Sequence, residues 1–310
     1  MIKSSNDLDA DGGAPGRSRL FCFGLGYTAL ALADTLLDAG WRVAGTCRDA
    51  GAVAAAAARG IDAHILDRDC PLAAPGRALA ETTHLLSTVP PDESGDTVLD
   101  AHGADIAALM AAAPMLSWCG YLSTTGVYGD RGGGWVDEES ARTPSGPRGF
   151  RRVAAEDGWL ALWREHGVPV HIFRLAGIYG PGRSAFDALR AGTARRIDKP
   201  GQVFSRIHVD DIVRVLRASM VRPDAGTAYN VCDDDPAPPP AVVAYAAALL
   251  GMAPPPLEPF AEADLSPMAR SFYEDNKRVR NTRIKEALGV RLAYPDYRAG
   301  LAAILAADSR

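Results

Sequence analysis

Gly24-Leu25-Gly26 stands between a short apolar run, Leu20-Phe21-Cys22-Phe23, and a segment whose apolar residues Leu30, Ala33, Leu36 and Leu37 recur at helical spacing. A strand that turns through paired glycines straight into a helix leaves few folds open. Gly24 permits the tight turn, Gly26 lets a ligand come close to the backbone, and Ala29 offers a third small position where helix packs on strand. The first amides of such a helix lack intrahelical acceptors and carry a partial positive charge, which suits a diphosphate. An ordinary tight turn would use the same glycines, so the strand and helix around them carry the argument for a dinucleotide.

The elements that follow keep the alternation. A helix over Thr28 to Ala39 stops at Gly40, and a second strand runs from Trp41 to Thr46. An alanine-rich helix from Ala50 to Arg59 closes at Gly60, Ile61 to Leu66 is a third strand, and His84 to Val89 is a fourth. A helix across Val98 to Ala112, a strand from Met115 to Leu122, a helix from Arg151 to His166 and a strand from Val168 to Leu175 complete the series. Apolar strands separated by helices predict an α/β fold, a Rossmann-type doubly wound parallel sheet. The eight even repeats of a barrel are missing.

Beyond Gly177 the rhythm gives way to Gly- and Pro-rich loops. Short elements lie among them: a helix over Asp210 to Met220, a strand at Tyr229-Asn230-Val231, a helix over Ala241 to Leu250 and another ending at Leu288. They read as a smaller C-terminal substrate lobe. The expected domains are a flexible tail over residues 1–18, a dinucleotide-binding Rossmann domain over 19–180, and a mainly substrate-binding lobe over 181–310. Segments around 205–232 are expected to return to the Rossmann domain.

Composition narrows the partners. Among 310 residues, Lys and Arg number 33 and Asp and Glu 38, a net charge of -5. No broad nucleic-acid surface is expected from that balance, although one local anion pocket is compatible with it. Cys22, Cys47, Cys70, Cys119 and Cys232 form no CxxC pair and are odd in number, so they read as reduced thiols of a cytoplasmic protein. No Cys/His cluster has zinc-site spacing, so no metal is expected. The uncharged stretches Ile106 to Gly129 and Pro236 to Leu257 are both interrupted by proline, so no membrane span is expected.

Gly24, Leu25, Gly26 and Tyr27 are the expected cofactor turn. A NAD-selective site usually ends its second strand in a carboxylate that binds the adenosine ribose, about 20 residues after the glycines. This strand ends Gly45-Thr46-Cys47-Arg48. Arg48 lacks that acceptor but its forked donors suit a 2'-phosphate, which favours NADP over NAD. A solvated surface charge is the other reading of Arg48, and Asp49 would simply cap the next helix. Asp67, ending the third strand, would accept from the adenine amino group or cap its own loop. Ser87 and Thr88, ending the fourth, would lie along the cofactor or cap the loop before Pro90.

Later phrases extend the pattern. Ser123-Thr124-Thr125-Gly126-Val127-Tyr128-Gly129-Asp130 is followed by Arg174-Leu175-Ala176-Gly177-Ile178-Tyr179-Gly180-Pro181-Gly182. Then come Arg206-Ile207-His208-Val209-Asp210-Asp211, Tyr229-Asn230-Val231 and Asn276-Lys277-Arg278-Val279. In this order and spacing they resemble the extended short-chain dehydrogenase/reductase superfamily, in its NAD-dependent epimerase/dehydratase group, with a tail like that of atypical members. The resemblance covers Leu20 to the C-terminus.

It implies hydride transfer at a carbon bearing oxygen. A Ser/Thr hydroxyl orients the substrate oxygen, a tyrosine moves the proton, and a lysine binds the ribose and lowers the tyrosine pKa. Thr124 matches the Ser/Thr, and the backbone at Gly177 and Ile178 matches the wrap around the nicotinamide amide. Sugar nucleotides are common substrates of the group, but Phe204 stands where many members carry a pyrophosphate-binding arginine. Arg183 and Arg206 are the candidates for a substrate anion. Members often pair through helices beside the sheet, which leaves a homodimer open.

One departure is informative. Family members carry Tyr-x-x-x-Lys followed by Glu; anchoring on Glu156 places Arg152 at the lysine and Arg148 at the tyrosine. A guanidinium stays protonated at physiological pH and is a poor general acid. It can polarise a carbonyl or hold a carboxylate or phosphate, and Arg152, four residues on, shares the helix face. A solvated helix start whose arginines bind nothing is the other reading. The expectation is therefore an NAD(P)-dependent oxidoreductase or epimerase/dehydratase-like enzyme acting on a small carbonyl, hydroxyl or sugar-type substrate. The alternative is a non-catalytic NAD(P)-binding regulatory or redox-sensing protein.

Overall fold

The computed structural model describes residues 18–112 and 115–308. The tail expected over residues 1–18 lies outside them, apart from Ser18. Seven strands form the main sheet: β1 (Arg19–Phe23), β2 (Arg42–Cys47), β3 (Asp62–Ile65), β4 (His84–Ser87), β5 (Trp118–Thr124), β6 (Val170–Leu175) and β7 (Ala228–Val231). Their order is β7-β6-β5-β4-β1-β2-β3. The pairs β1–β2, β1–β4, β2–β3 and β4–β5 are parallel, with Phe21 beside both Ala44 and Leu85. The expected doubly wound sheet is present. Chain order reverses beside β1, and such a switch point opens a crevice at the carboxyl ends of its strands.

The longer helices are α1 (Tyr27–Asp38), α2 (Ala50–Ala57), α3 (Thr97–Ala112), α4 (Pro147–His166), α5 (Val209–Val221), α6 (Pro239–Leu249) and α7 (Tyr297–Asp308). The side chain of Asp49 caps α2, accepting from Ala52 N at 2.8 Å. Helix α4 starts four residues before the expected Arg151, because Pro147, with its fixed φ and missing N–H, suits a first helical position. Arg148 therefore belongs to its first turn. None of the helices among the described residues is long and apolar enough to cross a membrane.

Two compact units divide the described chain. The first runs up to Leu122 and includes Ala155–Ile172 and Val215–Thr227. All five β1 residues are buried in it, as a strand covered on both faces requires. The Trp118 ring stacks on His171 at 5.9 Å and donates Nε1–H to Ser219 Oγ at 3.0 Å. Trp159 likewise satisfies its buried N–H, donating to Asp96 Oδ2 at 3.0 Å.

The second unit is Ser123–Ala154, Phe173–Arg214 and the described chain from Ala228 onward. One of its cores gathers Tyr179, Phe186, Leu189, Ala246, Tyr297 and Leu301; another gathers Val127, Tyr128, Val136, Ala176, Cys232 and Val279. Asp211, fully buried, accepts from the backbone N–H groups of Ala293 and Tyr294 at 2.7 and 2.9 Å, which fastens the segment before α7.

Candidate functional site

In the first unit the glycine turn closes β1. Gly24 has φ +86°, a conformation open to glycine, and its N–H donates to Thr46 Oγ1 at 2.9 Å. Leu25 N donates to Thr46 O at 2.7 Å and Gly26 N to Gly24 O at 2.9 Å, so both amides are consumed in building the turn. Helix α1 begins on Gly26 with no side-chain cap and no acidic residue in its first turn. Its first intrahelical bond is Leu30 N to Gly26 O, 2.8 Å, which leaves the Thr28 and Ala29 amides without an intrahelical acceptor. A Cβ added to Gly26 would meet nothing within 4 Å. Uncapped amides beside open space are what an incoming diphosphate requires.

The strand ends around this turn differ. Thr88 donates its hydroxyl to Gly24 O at 2.6 Å, and Ser87 is fully buried with its Oγ unpartnered. Asp67 is exposed, and its Oδ1 accepts from the backbone of Asp69 and Cys70 at 2.9 and 2.7 Å. Arg48 is exposed beside Asp49. Arg68, in the loop after β3, pairs with Asp92 in the loop after β4 at 2.6 Å and with Asp100 in the first turn of α3 at 2.9 Å. Thr46 was not among the expected residues. A hydroxyl ending a strand is a weak signal, and its role emerges only once β2 lies beside the turn.

In the second unit Thr124 accepts from Gly126 N at 3.1 Å, which caps the short turn Thr125–Tyr128 and leaves its own O–H free to donate. The start of α4 lies against this turn: a Cβ on Gly149 would sit 3.1 Å from Gly126 O and 2.4 Å from Pro144 Cβ. The end of β5 at Thr124 and the first turn of α4 at Arg148 thereby flank the same short turn. Arg148 is exposed and its guanidinium lies over Phe272, 5.3 Å from the ring centre, while Arg152 is half-buried. A basic residue in the first turn, as Arg148 is, opposes the helix dipole, an arrangement that an anion relieves. Tyr128 is locked, donating to Asn230 Oδ1 at 2.7 Å and accepting from Arg174 at 2.9 Å; burial pushes its phenol up to about 12.

Gly177 and Ile178 pair in parallel with Arg206 and Ile207, so two expected cofactor positions adjoin an expected substrate position. Arg206 is anchored by the carbonyls of Phe204 and Ala237 at 2.8 and 3.1 Å. Arg183 is exposed at the turn where Gly180 and Arg183 exchange backbone hydrogen bonds. Two further residues emerge here, Asp233 and Tyr273. Asp233 N donates to Arg206 O at 2.6 Å, and its buried carboxyl has neither oxygen partnered. Burial pushes that carboxyl up to about 8 against the opposing pull of Arg206. Tyr273 stacks on Phe260 and meets Phe204 edge-on. Neither position lies in a motif that would have marked it.

The family model for NAD dependent epimerase/dehydratase matches residues 24–232. Over 287 residues the chain is 31% identical to Protein YeeZ of Escherichia coli (strain K12), covering 88% of this chain and 95% of that protein. A functionally unknown conserved protein from Silicibacter pomeroyi DSS is 53% identical with a TM-score of 0.86, covering 94% of this chain and 99% of that one. MoeE5 in complex with UDP-glucose and NAD shares the fold at 20% identity and a TM-score of 0.73, covering 94% and 99%.

The NADP expectation drawn from Arg48 is overturned: the matching family is NAD dependent and MoeE5 is an NAD complex. Arg48 is exposed, and the adjacent Asp49 carboxylate would repel a 2'-phosphate, so a guanidinium at that strand end does not specify one. The resemblance drawn from the motifs holds. A match over residues 24–232 and a 31% identical relative covered almost end to end make this chain a member of the NAD dependent epimerase/dehydratase family.

Proposed function

We propose that the protein is an NAD-dependent oxidoreductase or epimerase/dehydratase acting on a small anionic, sugar-type carbonyl or hydroxyl substrate. The observation that carries this is the uncapped start of α1, where Gly26 borders open space. When bound there, NAD supplies the hydride acceptor. The Thr28 and Ala29 amides face its diphosphate, and the Thr46 and Thr88 hydroxyls keep the turn in shape.

Within the second unit, Thr124 directs its hydroxyl hydrogen at the substrate oxygen. Arg148, Arg152, Arg183 and Arg206 supply positive charge for a carboxylate or phosphate. A sugar nucleotide fits that charge, and MoeE5 is also known in complex with UDP-glucuronic acid and NAD. Hydride turnover is measured on a panel of sugar nucleotides and small carbonyl acids, with Thr124→Ala and Arg148→Ala beside the wild type. Each variant is expected to lose ~10-fold or more in kcat/KM; turnover unchanged in both removes these assignments.

A second reading rests on Arg148 and Arg152 standing where the family carries tyrosine and lysine. It makes the protein a non-catalytic NAD-binding regulatory or redox-sensing module. Tight NADH binding with no substrate-dependent oxidation, together with a partner whose binding depends on NADH, is the outcome that favours it.

A further inference from the structure

The second unit holds a tyrosine that no motif marks. Tyr273 follows the short helix Pro267–Phe272, and its ring is fixed on two sides. Phe204 meets it edge-on at 5.3 Å and Phe260 stacks on it at 5.1 Å. Lys199 and Arg270 lie over Phe260 at 5.4 and 4.9 Å, and Lys199 Nζ also donates to the Tyr273 carbonyl. The side chain is nevertheless only half-buried, and among the described residues its hydroxyl makes no hydrogen bond. A rigid ring with an unengaged polar end is a preorganised group.

The other tyrosines of that unit are committed elsewhere. Tyr128 is locked between Arg174 and Asn230, Tyr179 reaches Asp296 O at 3.4 Å, and Tyr294 reaches Asp210 at 3.4 Å. Tyr229 and Tyr297 are buried, and Tyr245 packs on the apolar cluster around Tyr297. Tyr273 instead adjoins the groups assigned to substrate. Its preceding residue, Phe272, lies under Arg148, and its edge-on neighbour Phe204 offers its carbonyl to Arg206 at 2.8 Å.

We propose that the Tyr273 hydroxyl transfers the proton at the substrate oxygen, in the role of the family tyrosine whose place Arg148 holds. This rests on the NAD-dependent enzyme reading above. In the reducing direction the hydride brings its electron pair from a dihydronicotinamide to the carbonyl carbon, and the carbonyl π pair moves onto oxygen. The Tyr273 O–H bond breaks as its proton passes to that oxygen, and the phenolate recovers a proton from solvent. Burial raises the phenol above its ordinary range while Arg206 and Arg195 pull it back, so it is held protonated near neutrality.

Tyr273→Phe keeps the ring stack and removes only the hydroxyl. The variant and the wild type are compared with NAD and UDP-glucose or UDP-glucuronic acid as probes, alongside NADH binding by fluorescence. Expected are unchanged NADH affinity, kcat lower by ~100-fold or more with KM little altered, and a pH profile that loses its proton-transfer limb. A variant with wild-type kcat and pH profile overturns the proposal and leaves the enzyme reading standing. Failure of the wild type to bind NADH overturns that reading and the proposal with it. NADH binding without turnover of either probe overturns the proposal and leaves the non-catalytic reading.

Discussion

The hydroxyl of Thr88 donates to the carbonyl oxygen of Gly24 at 2.6 Å, and that same Oγ1 would lie 2.8 Å from a Cβ placed on Gly24. Glycine is therefore needed twice at this residue, for its φ of +86° and for the approach of Thr88. Gly24→Ala is expected to lower stability by about 1–3 kcal/mol. NADH affinity should fall with it. Urea unfolding and a fluorescence titration read the two effects, and an alanine variant of wild-type stability contradicts this account of the turn.

With a cofactor lacking a 2'-phosphate, the exposed Arg48 has no anion of its own to bind. Arg48→Ala is expected to leave NADH affinity within ~2-fold, the range ordinary for a solvated charge. Isothermal titration with NADH checks this. A tenfold loss would give Arg48 a role that the present geometry does not supply.

Asp233 carries a pH signature. Its folded-state value of about 8 lies above the ordinary 3.8, so between these values the native chain holds a proton that the unfolded chain has lost. Stability from this group is greatest below pH about 4 and declines as pH rises to about 8. Asp233→Asn should lack that decline. Denaturation midpoints of both proteins between pH 5 and 9 decide it, in roughly unit steps. Parallel curves would mean that the carboxyl ionises normally.

His84 and His171 act in the opposite sense. Burial pushes both imidazoles down to about 4 from an ordinary 6.5, so the unfolded chain binds protons that the native chain refuses. Their contribution is intact above pH 6.5 and is lost as pH falls towards 4. Thermal melts across that window should show a falling midpoint. Replacing His171 by Gln should shrink the acid-dependent part of the drop, and an unchanged slope would exclude it as a contributor.

The nucleotide-binding half was legible because its determinants are local. Leu20 to Phe23, the glycines and the spacing of Leu30, Ala33 and Leu36 lie within one short stretch, and β1, the turn and α1 appear as that stretch suggests. Edges were less legible. The strand expected from Met115 runs from Trp118, and α4 and α6 start earlier than expected because prolines open helices as well as end them. The reading of Arg48 failed because a guanidinium beside a phosphate and one in solvent look alike in a linear sequence. Tyr273 and Asp233 were invisible for another reason. Their interest lies in burial and in partners such as Phe204 and Arg206, which only the folded chain sets beside them.

The two glycines of the turn differ in one further respect. Gly24 is crowded by its own chain, whereas a side chain at Gly26 would project into empty surroundings. A library scored on folding alone should discard substitutions at Gly24 and pass those at Gly26. Scored on nucleotide capture, the same library should discard both, and Gly26 would then report the ligand where Gly24 reports the architecture.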